Sequence, residues 1–382
     1  MNSDKILLAP YYWALRVRHF CYDKGWKKVQ KAPVLTVCVG NIAVGGTGKT
    51  PFTELLLRLL GTGDMIPLYA DLPARVGVLS KGYGRKSKGF FYVETDGTPE
   101  QYGDEPLQIK RKFPRVPVAV CSSRIEGCQK MAEDGCELIL LDDAFQHRAL
   151  QADCNIVLIE YGRPLRKDHL LPRGRLRDIP ERIAAADIII ASKCPDDLTA
   201  EERSIWLEGL RLPQAYDASA LPTESPASST ESPATATPAA DTRIPVFFSM
   251  TEYNEMQGLY AEADRHYLYS RKVILISGIA NDRPLMGLLS ERYRIAGHLS
   301  FPDHHAFTDA DLRRMEAVAA EHPEALLVTT EKDCQRLLPL RERFSEGVRQ
   351  RLFYQPIQAR FLTHEETDRF PEVLLAKLER DK

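Results

Sequence analysis

Residues Val37–Pro51 read VCVGNIAVGGTGKTP, and the fold follows from how that stretch is taken. Val34–Gly40 is an apolar run of strand length, glycines follow at 45, 46 and 48, and Thr53–Leu60 has helical composition. Strand, glycine loop and helix is the layout of a phosphate-binding P-loop. Glycines let backbone N–H groups turn inward around a polyphosphate, Lys49 adds a point charge, and Thr50 adds a hydroxyl ligand for Mg²⁺. The usual spacing, G-x-x-x-x-G-K-[ST], places Ala43 where the first glycine belongs. An ordinary glycine-rich strand-to-helix turn is the plainer alternative; the strand before and the helix after favour a nucleotide site.

Working outward, Ala74–Ser80 reads as a second strand that ends in the basic turn Lys81–Lys88 (KGYGRKSK). Loops at the carboxyl ends of strands face the ligand crevice of open α/β sheets, so Lys81 and Arg85 are candidates for meeting phosphate, a solvated loop being the alternative. Phe90–Glu94 has the look of an edge strand. Tyr102–Lys110 (YGDEPLQIK) reads as a turn into a helix with Asp104 and Glu105 in its first turn, where carboxylates also serve simply as caps. Val116–Val120 is a further strand, followed by Arg124. Glu137–Leu141 runs straight into Asp142, Asp143, Ala144, Phe145, Gln146, His147 and Arg148. An apolar strand ending in acids, about ninety residues past a P-loop, is the Walker-B arrangement, in which a carboxylate holds Mg²⁺ or its water shell. Loop capping by the two aspartates and a hydrogen-bonded structural His147 are the alternatives. Asn155–Glu160 and Asp187–Ser192 are two more strands, separated by an arginine-rich loop. Its Arg163, Arg166, Arg173, Arg175 and Arg177, with Asp178 among them, suit a phosphate clamp. This β/α alternation predicts one α/β domain over 29–216, a parallel sheet with helices on both faces.

The chain of 382 residues allows about two domains, and 44% hydrophobic with 27% charged residues is the composition of a folded protein. A net charge of −2 gives no global attraction to nucleic acid, so none is expected as a partner. The eight cysteines form no C-x-x-C pair or zinc spacing and are expected as reduced, buried apolar groups, which favours a cytosolic compartment. No secretory signal is evident, and no stretch reaches the roughly 18 apolar residues of a spanning helix. Met1–Pro33 carries seven basic residues against two acidic ones, and Leu7–Trp26 is rich in aromatics. Residues 1–28 therefore suit an interfacial helix on an anionic lipid surface, or equally a helix packed on the protein's own core.

Residues 217–242 change character: 21 of 26 are Ala, Ser, Thr or Pro, as in a disordered insertion. Beyond them, Ile244–Ser249, Lys272–Ser277, Tyr293–Leu299 and Leu326–Thr330 read as strands of a second, smaller α/β domain over 243–382. Its strand tips carry GIANDRP, FPDHHAF and TEKD. Asp303, His304 and His305 raise a metal question. No third ligand has suitable spacing, so a single histidine polarised by an acid is preferred, with a structural histidine as alternative.

VGNIAVGGTGKTP, KGYGRKSKG, YGDEP, DDAFQHR, RGRLRD, SGIAN, FPDHHAF and TEKD, in this order, closely resemble the motifs of the tetraacyldisaccharide 4′-kinases. The resemblance covers nearly all of the chain except 217–242. It implies a peripheral enzyme on the cytoplasmic side of the inner membrane of a Gram-negative bacterium. Such an enzyme uses ATP and Mg²⁺ to phosphorylate the 4′-hydroxyl of a tetraacylated glucosamine disaccharide 1-phosphate, forming lipid IVA in lipid A biosynthesis. It implies a P-loop α/β/α domain and a second α/β/α domain with the active site between them, and an N-terminal helix docked on the membrane. Residue by residue, it assigns ATP to Gly45, Gly46, Thr47, Gly48, Lys49 and Thr50, and a catalytic pair to Asp104 and His304. His304 is preferred to His305 by motif register. Metal falls to Thr50, Asp142 and Asp143, and the acceptor to Lys81, Arg85, Arg124, His147, Arg177 and Asp178. The sequence departs from the family's usual residues at Lys81, Ala144 and Asp178.

The chemistry asks for the same groups. A sugar hydroxyl needs a base to take its proton, for which Asp104 is the candidate, while Lys49, an arginine and Mg²⁺ neutralise charge on the transferring group. The competing reading is a P-loop GTPase or metallochaperone, with TEKD standing in for a guanine-reading N/T-K-x-D motif.

Overall fold

Parallel strands covered on both faces call for near-continuous apolar sequence, and the chain supplies such strands in two separate groups. The computed structural model describes residues 8–61, 75–165, 168–220 and 243–379. The first seven residues of the expected interfacial helix, Arg166, and the expected low-complexity insertion from residue 221 to 242 lie outside them.

In chain order the principal elements are α1 (Ala9–Asp23), β1 (Leu35–Gly40), α2 (Lys49–Leu59), β2 (Val76–Ser80), β3 (Phe91–Tyr92), α3 (Asp104–Lys112), β4 (Val118–Val120), α4 (Arg124–Glu133), β5 (Leu138–Asp142), β6 (Cys154–Glu160), β7 (Ile188–Ser192), α5 (Ala200–Leu210) and β8 (Ala215–Asp217). Then come β9 (Ile244–Tyr253), β10 (Gln257–Gly258), β11 (Lys272–Ser277), α6 (Arg283–Arg292), β12 (Arg294–Ser300), α7 (Asp309–Glu321), β13 (Leu326–Thr330), α8 (Glu331–Leu337), β14 (Leu352–Gln355), β15 (Ile357–Phe361) and α9 (His364–Glu379).

The first sheet runs β8-β9-β7-β6-β1-β5-β2-β4-β3, with β15 paired to β9. It is parallel from β8 to β4, and β3 joins as an antiparallel edge strand, as the sequence suggested. The second sheet runs β10-β14-β13-β11-β12. β2, β5 and β7 are buried at every position, which is why they read as unbroken apolar runs rather than alternating ones.

The expected division at residue 243 is not where the sheets divide. Val246–Phe248 of β9 pair in parallel with β7 in the first sheet, and only after Tyr253 does the chain pass to the second. It returns at Pro356, since β15 pairs antiparallel with Ser249–Tyr253. The two crossings lie side by side, the Asn254 N–H donating to the Pro356 carbonyl at 3.1 Å. An isolated strand has no sequence label for its sheet; the long-range pairing with β7 decides it. The ring of Phe370 in α9 then packs with Phe361, Phe247 and Phe52 of α2 at centroid distances of 5.0–5.9 Å.

α1 packs on the protein's own core along one face and leaves apolar side chains exposed along another. Tyr12, Leu15 and His19 turn into the protein, while Trp13, Val17 and Phe20, half a turn away, are exposed. Among the described residues no helix is long and apolar enough to cross a membrane. All eight cysteines are free and all but Cys21 are buried.

Candidate active site

β1 and β5 lie next to each other with Val39 opposite Asp142, so the parallel register brings the glycine loop and the acidic strand tip level. Gly40 lets them touch, because a Cβ there would come 2.5 Å from the Phe145 Cβ. The loop itself needs left-handed backbone at Gly45 (φ 101°) and Gly48 (φ 87°), which glycine adopts without steric cost. Asn41 Nδ2 donates to Thr47 Oγ1 at 2.7 Å and Ser192 Oγ to the Thr47 carbonyl at 2.8 Å, fixing the loop from two strand tips. Lys49 and Thr50 open α2 behind it.

The acids beside the loop are unlike one another. Arg177 donates through both terminal nitrogens to Asp143, at 3.0 Å from Nη1, and Nη2 also reaches Asn41 Oδ1. The Lys49 ammonium lies 3.7 Å from Asp143 Oδ1. Burial works against the charge on Asp143, yet Arg177 and Lys49 hold its pKa below the ordinary value. Asp142 is buried, its Oδ2 accepts from Ser80 Oγ at 3.3 Å, and its Oδ1 has no partner. Burial first, then the neighbouring Glu105 and Asp143, push its carboxyl up to about 7. An orphaned carboxylate oxygen next to a P-loop suits Mg²⁺, which takes one or two carboxylates and completes its shell with water and phosphate. Among the described residues no three His, Cys, Asp or Glu side chains form a metal cage of their own.

The remaining predicted residues divide. Arg124 is buried behind β5 and donates to the carbonyls of Cys121 (2.8 Å) and Asp142 (3.1 Å). His147 is half-buried, and burial followed by Arg124, Arg18 and Lys81 lowers its pKa. Lys81 is exposed at the tip of β2. Arg85 spends its guanidinium bracing its own loop, on Lys81 O, Ser87 Oγ and Gly89 O. Asp178 is fully buried beneath α1, where Oδ1 lies 2.6 Å from His19 Nε2. Arg18 of α1 donates to the Gln146 carbonyl at 2.6 Å and Tyr11 to the Arg177 carbonyl at 3.2 Å. The N-terminal helix is thus bonded to both loops that frame the nucleotide side.

Asp104 is buried at the start of α3, which Gly103 (φ 91°) introduces. A Cβ on Gly103 would meet the backbone of Gly82 and Tyr83 at 3.0–3.1 Å, so this turn sits directly on the KGYGRK loop. Across the cleft, His304 Nδ1 lies 3.0 Å from Asp104 Oδ2. His304 has φ 60°, strained for a non-glycine residue. That kink sends the two histidines apart: His305 stacks on Phe301 and bonds Asp311 Oδ2 at 2.9 Å.

Sequence reasoning missed the contribution of α8. Lys332 Nζ lies 2.9 Å from His304 Nε2 and 3.1 Å from Asp303 Oδ1. Arg336, one turn on, lies 3.4 Å from Asp104 Oδ2 and 3.0 Å from the buried Asp333, and donates to the His305 carbonyl at 2.9 Å. Glu331 pairs at 2.7 Å with Lys112 of α3, which pairs at 2.7 Å with Glu54 of α2. The signal was available: basic residues at i and i+4 share one face of a helix that starts at a strand tip. The same contacts leave TEKD unsuited to reading a guanine, because all three of its charged side chains are engaged by neighbouring parts of the protein.

Known proteins resemble this chain over most of its length. A family model for tetraacyldisaccharide-1-P 4′-kinase matches residues 5–379. The tetraacyldisaccharide 4′-kinase of Cytophaga hutchinsonii is 35% identical, over 93% of this chain and 91% of that protein. That of Porphyromonas gingivalis is 34% identical, over 95% and 93%. A crystal structure of LpxK from Aquifex aeolicus in complex with ATP superposes with a TM-score of 0.64 at 26% identity, covering 97% of this chain and 96% of the other.

Proposed function

This chain belongs to the tetraacyldisaccharide-1-P 4′-kinase family, and on that premise we propose how its residues share the work of phosphoryl transfer. It is a kinase that moves the γ-phosphoryl of ATP to the 4′-hydroxyl of a tetraacylated disaccharide 1-phosphate in lipid A biosynthesis. Backbone N–H groups of Gly45–Thr50 cradle the polyphosphate, and Lys49 leans toward it from the start of α2. Arg177 keeps Asp143 ionised and in place. Thr50, Asp142 and Asp143 would hold Mg²⁺, which would neutralise charge on the transferring group. Asp104 is the base: as the 4′-oxygen bonds to phosphorus, its proton passes to the Asp104 carboxylate, and the broken P–O bond leaves its electron pair on ADP. His304 orients that carboxylate. Lys81, exposed beside the same cleft, and His147 face the acceptor.

The acceptor's four acyl chains keep it in a bilayer, so the enzyme works at the membrane surface, peripheral to the cytoplasmic face of the inner membrane. Trp13, Val17, Phe20 and Trp26 form the exposed apolar side of the N-terminal element, with Lys24, Lys27 and Lys28 beside them. Because α1 is bonded to the Gln146 and Arg177 loops, docking it sets the active site at a fixed height over the lipid.

The observation that carries the assignment is the buried Asp104 carboxylate, 3.0 Å from a histidine of the other sheet and next in the chain to Glu105, whose charge acts on Asp142. Purified protein is incubated with ATP, Mg²⁺ and the acylated disaccharide 1-phosphate in detergent, and labelled phosphate on the lipid is counted. Wild type transfers label and Asp104→Asn does not; equal transfer by the two overturns the role given to Asp104.

A further inference from the structure

The contacts around His304 decide more than its distance from Asp104. A lysine ammonium has three N–H donors and no lone pair, so whatever accepts from it must present one. Lys332 stands 3.1 Å from the Asp303 carboxylate and 2.9 Å from His304 Nε2. Nε2 is then the acceptor of the ring, and the ring proton sits on Nδ1. That proton points at Asp104 Oδ2, 3.0 Å away. Arg336 addresses the same oxygen at 3.4 Å. Both second-sheet contacts therefore fall on Oδ2, which leaves Oδ1 as the oxygen that takes the hydroxyl proton.

We propose that Lys332 is a positioning residue for the transfer: by donating to Nε2 it holds His304 in the Nδ1–H tautomer, so that the histidine donates to Asp104. In the other tautomer an Nδ1 lone pair would face the carboxylate, and the two would repel rather than bond. Through the reaction His304 keeps its proton. The proton of the acceptor hydroxyl goes to Asp104 Oδ1, the new P–O bond forms, and the bond to ADP breaks with its electrons on ADP. Lys332 touches neither nucleotide nor sugar in this scheme; it acts through His304. The charged and aromatic groups around the imidazole are Asp104 from α3, Lys332 from α8, Asp303 of its own loop, with Oδ2 3.9 Å from Nε2, and the Tyr83 ring at 5.2 Å. Of these, Lys332 alone donates to Nε2.

The inference rests on the reading of Asp104 as base, and two readouts separate their failures. In full-length protein labelled with ¹⁵N-histidine, the His304 resonances, identified by their loss in His304→Gln, report the tautomer directly. A protonated Nδ1 and an unprotonated Nε2 in wild type, changed in Lys332→Met, are expected; a protonated Nε2 in wild type overturns the proposal whatever the role of Asp104. In the kinase assay, Lys332→Met lowers kcat about 30-fold with KM for MgATP and lipid within about twofold, and Lys332→Arg, which still donates, recovers most of it. In the His304→Gln background the Lys332→Met change costs less than about threefold more. A full additional 30-fold loss there overturns the proposal. If Asp104→Asn retains turnover while the tautomer result stands, the base assignment fails and the hydrogen-bond arrangement survives.

Discussion

The nucleotide side and the base side of the cleft are built in opposite ways. Among the described residues, the contacts that shape the P-loop come from the first sheet and its loops: Asn41, Ser192, Asp143 and Arg177 are all tips of neighbouring strands or the connections between them. The base is shared. Asp104 belongs to the first sheet's loops, while His304, Lys332 and Arg336 that surround it come from the second. A site made within one sheet is present before any partner arrives, whereas one made between two sheets exists only while they are apposed. Nucleotide binding and phosphoryl transfer should therefore be separable by mutation.

Lys49→Ala gives the largest effect, since it removes charge where binding and transfer both need it. kcat/KM should fall by roughly 10³-fold or more with ATP affinity also lost, measured by turnover and nucleotide titration. Asp104→Asn should lose a comparable part of kcat, on the order of 10³-fold, while ATP still binds with wild-type affinity. A loss of ATP affinity in that variant would break the distinction between the two sides.

Lys112→Met tests the seam between them. It leaves the buried carboxylates of Glu54 and Glu331 facing each other, and unfolding in urea should show a loss of about 3 kcal/mol at neutral pH. Burial, and then Glu54, already raise the Glu331 pKa above its ordinary value of 4.5. A carboxyl raised on folding binds more protons folded than unfolded, so its contribution falls as pH rises through that interval. The deficit of Lys112→Met should accordingly shrink as pH is lowered from 7 toward 5; a deficit that grows would contradict the pairing. The smallest effect on chemistry belongs to Trp13→Ser. It should weaken co-sedimentation with anionic lipid vesicles severalfold and leave turnover on detergent-dispersed substrate within about twofold.

What the sequence made legible follows the same division. The P-loop, the acidic end of β5 and the helix opened by Asp104 were readable because each is local: a few consecutive residues carry both the turn chemistry and the functional group. The strand at Ile244 was readable as a strand, but not its membership of the first sheet, which rests on pairing with β7 more than fifty residues away. Lys332 was visible only as part of a motif with a misleading likeness, since its meaning depends on a histidine supplied by a separate loop. Arg85 looked like a phosphate ligand by composition and Asp178 was given to the acceptor by the resemblance; the structure bonds Asp178 to the helix α1 and Arg85 to its own turn. Side chains that point at ligand and side chains that brace a loop are the same residue types, and sequence alone does not separate them.

The aromatic cluster of Phe52, Phe247, Phe361 and Phe370 has a consequence for how the protein is made. The helix that carries Lys49 and Thr50 emerges early in synthesis, yet the rings that cover its apolar side are encoded some three hundred residues later. Until β15 and α9 have left the ribosome, that side stays open to water and to other nascent chains. The phosphate-binding half is first to be translated and last to be sealed, so a stall or cut beyond the second sheet should yield a chain with all of its motifs and an exposed, aggregation-prone nucleotide fold.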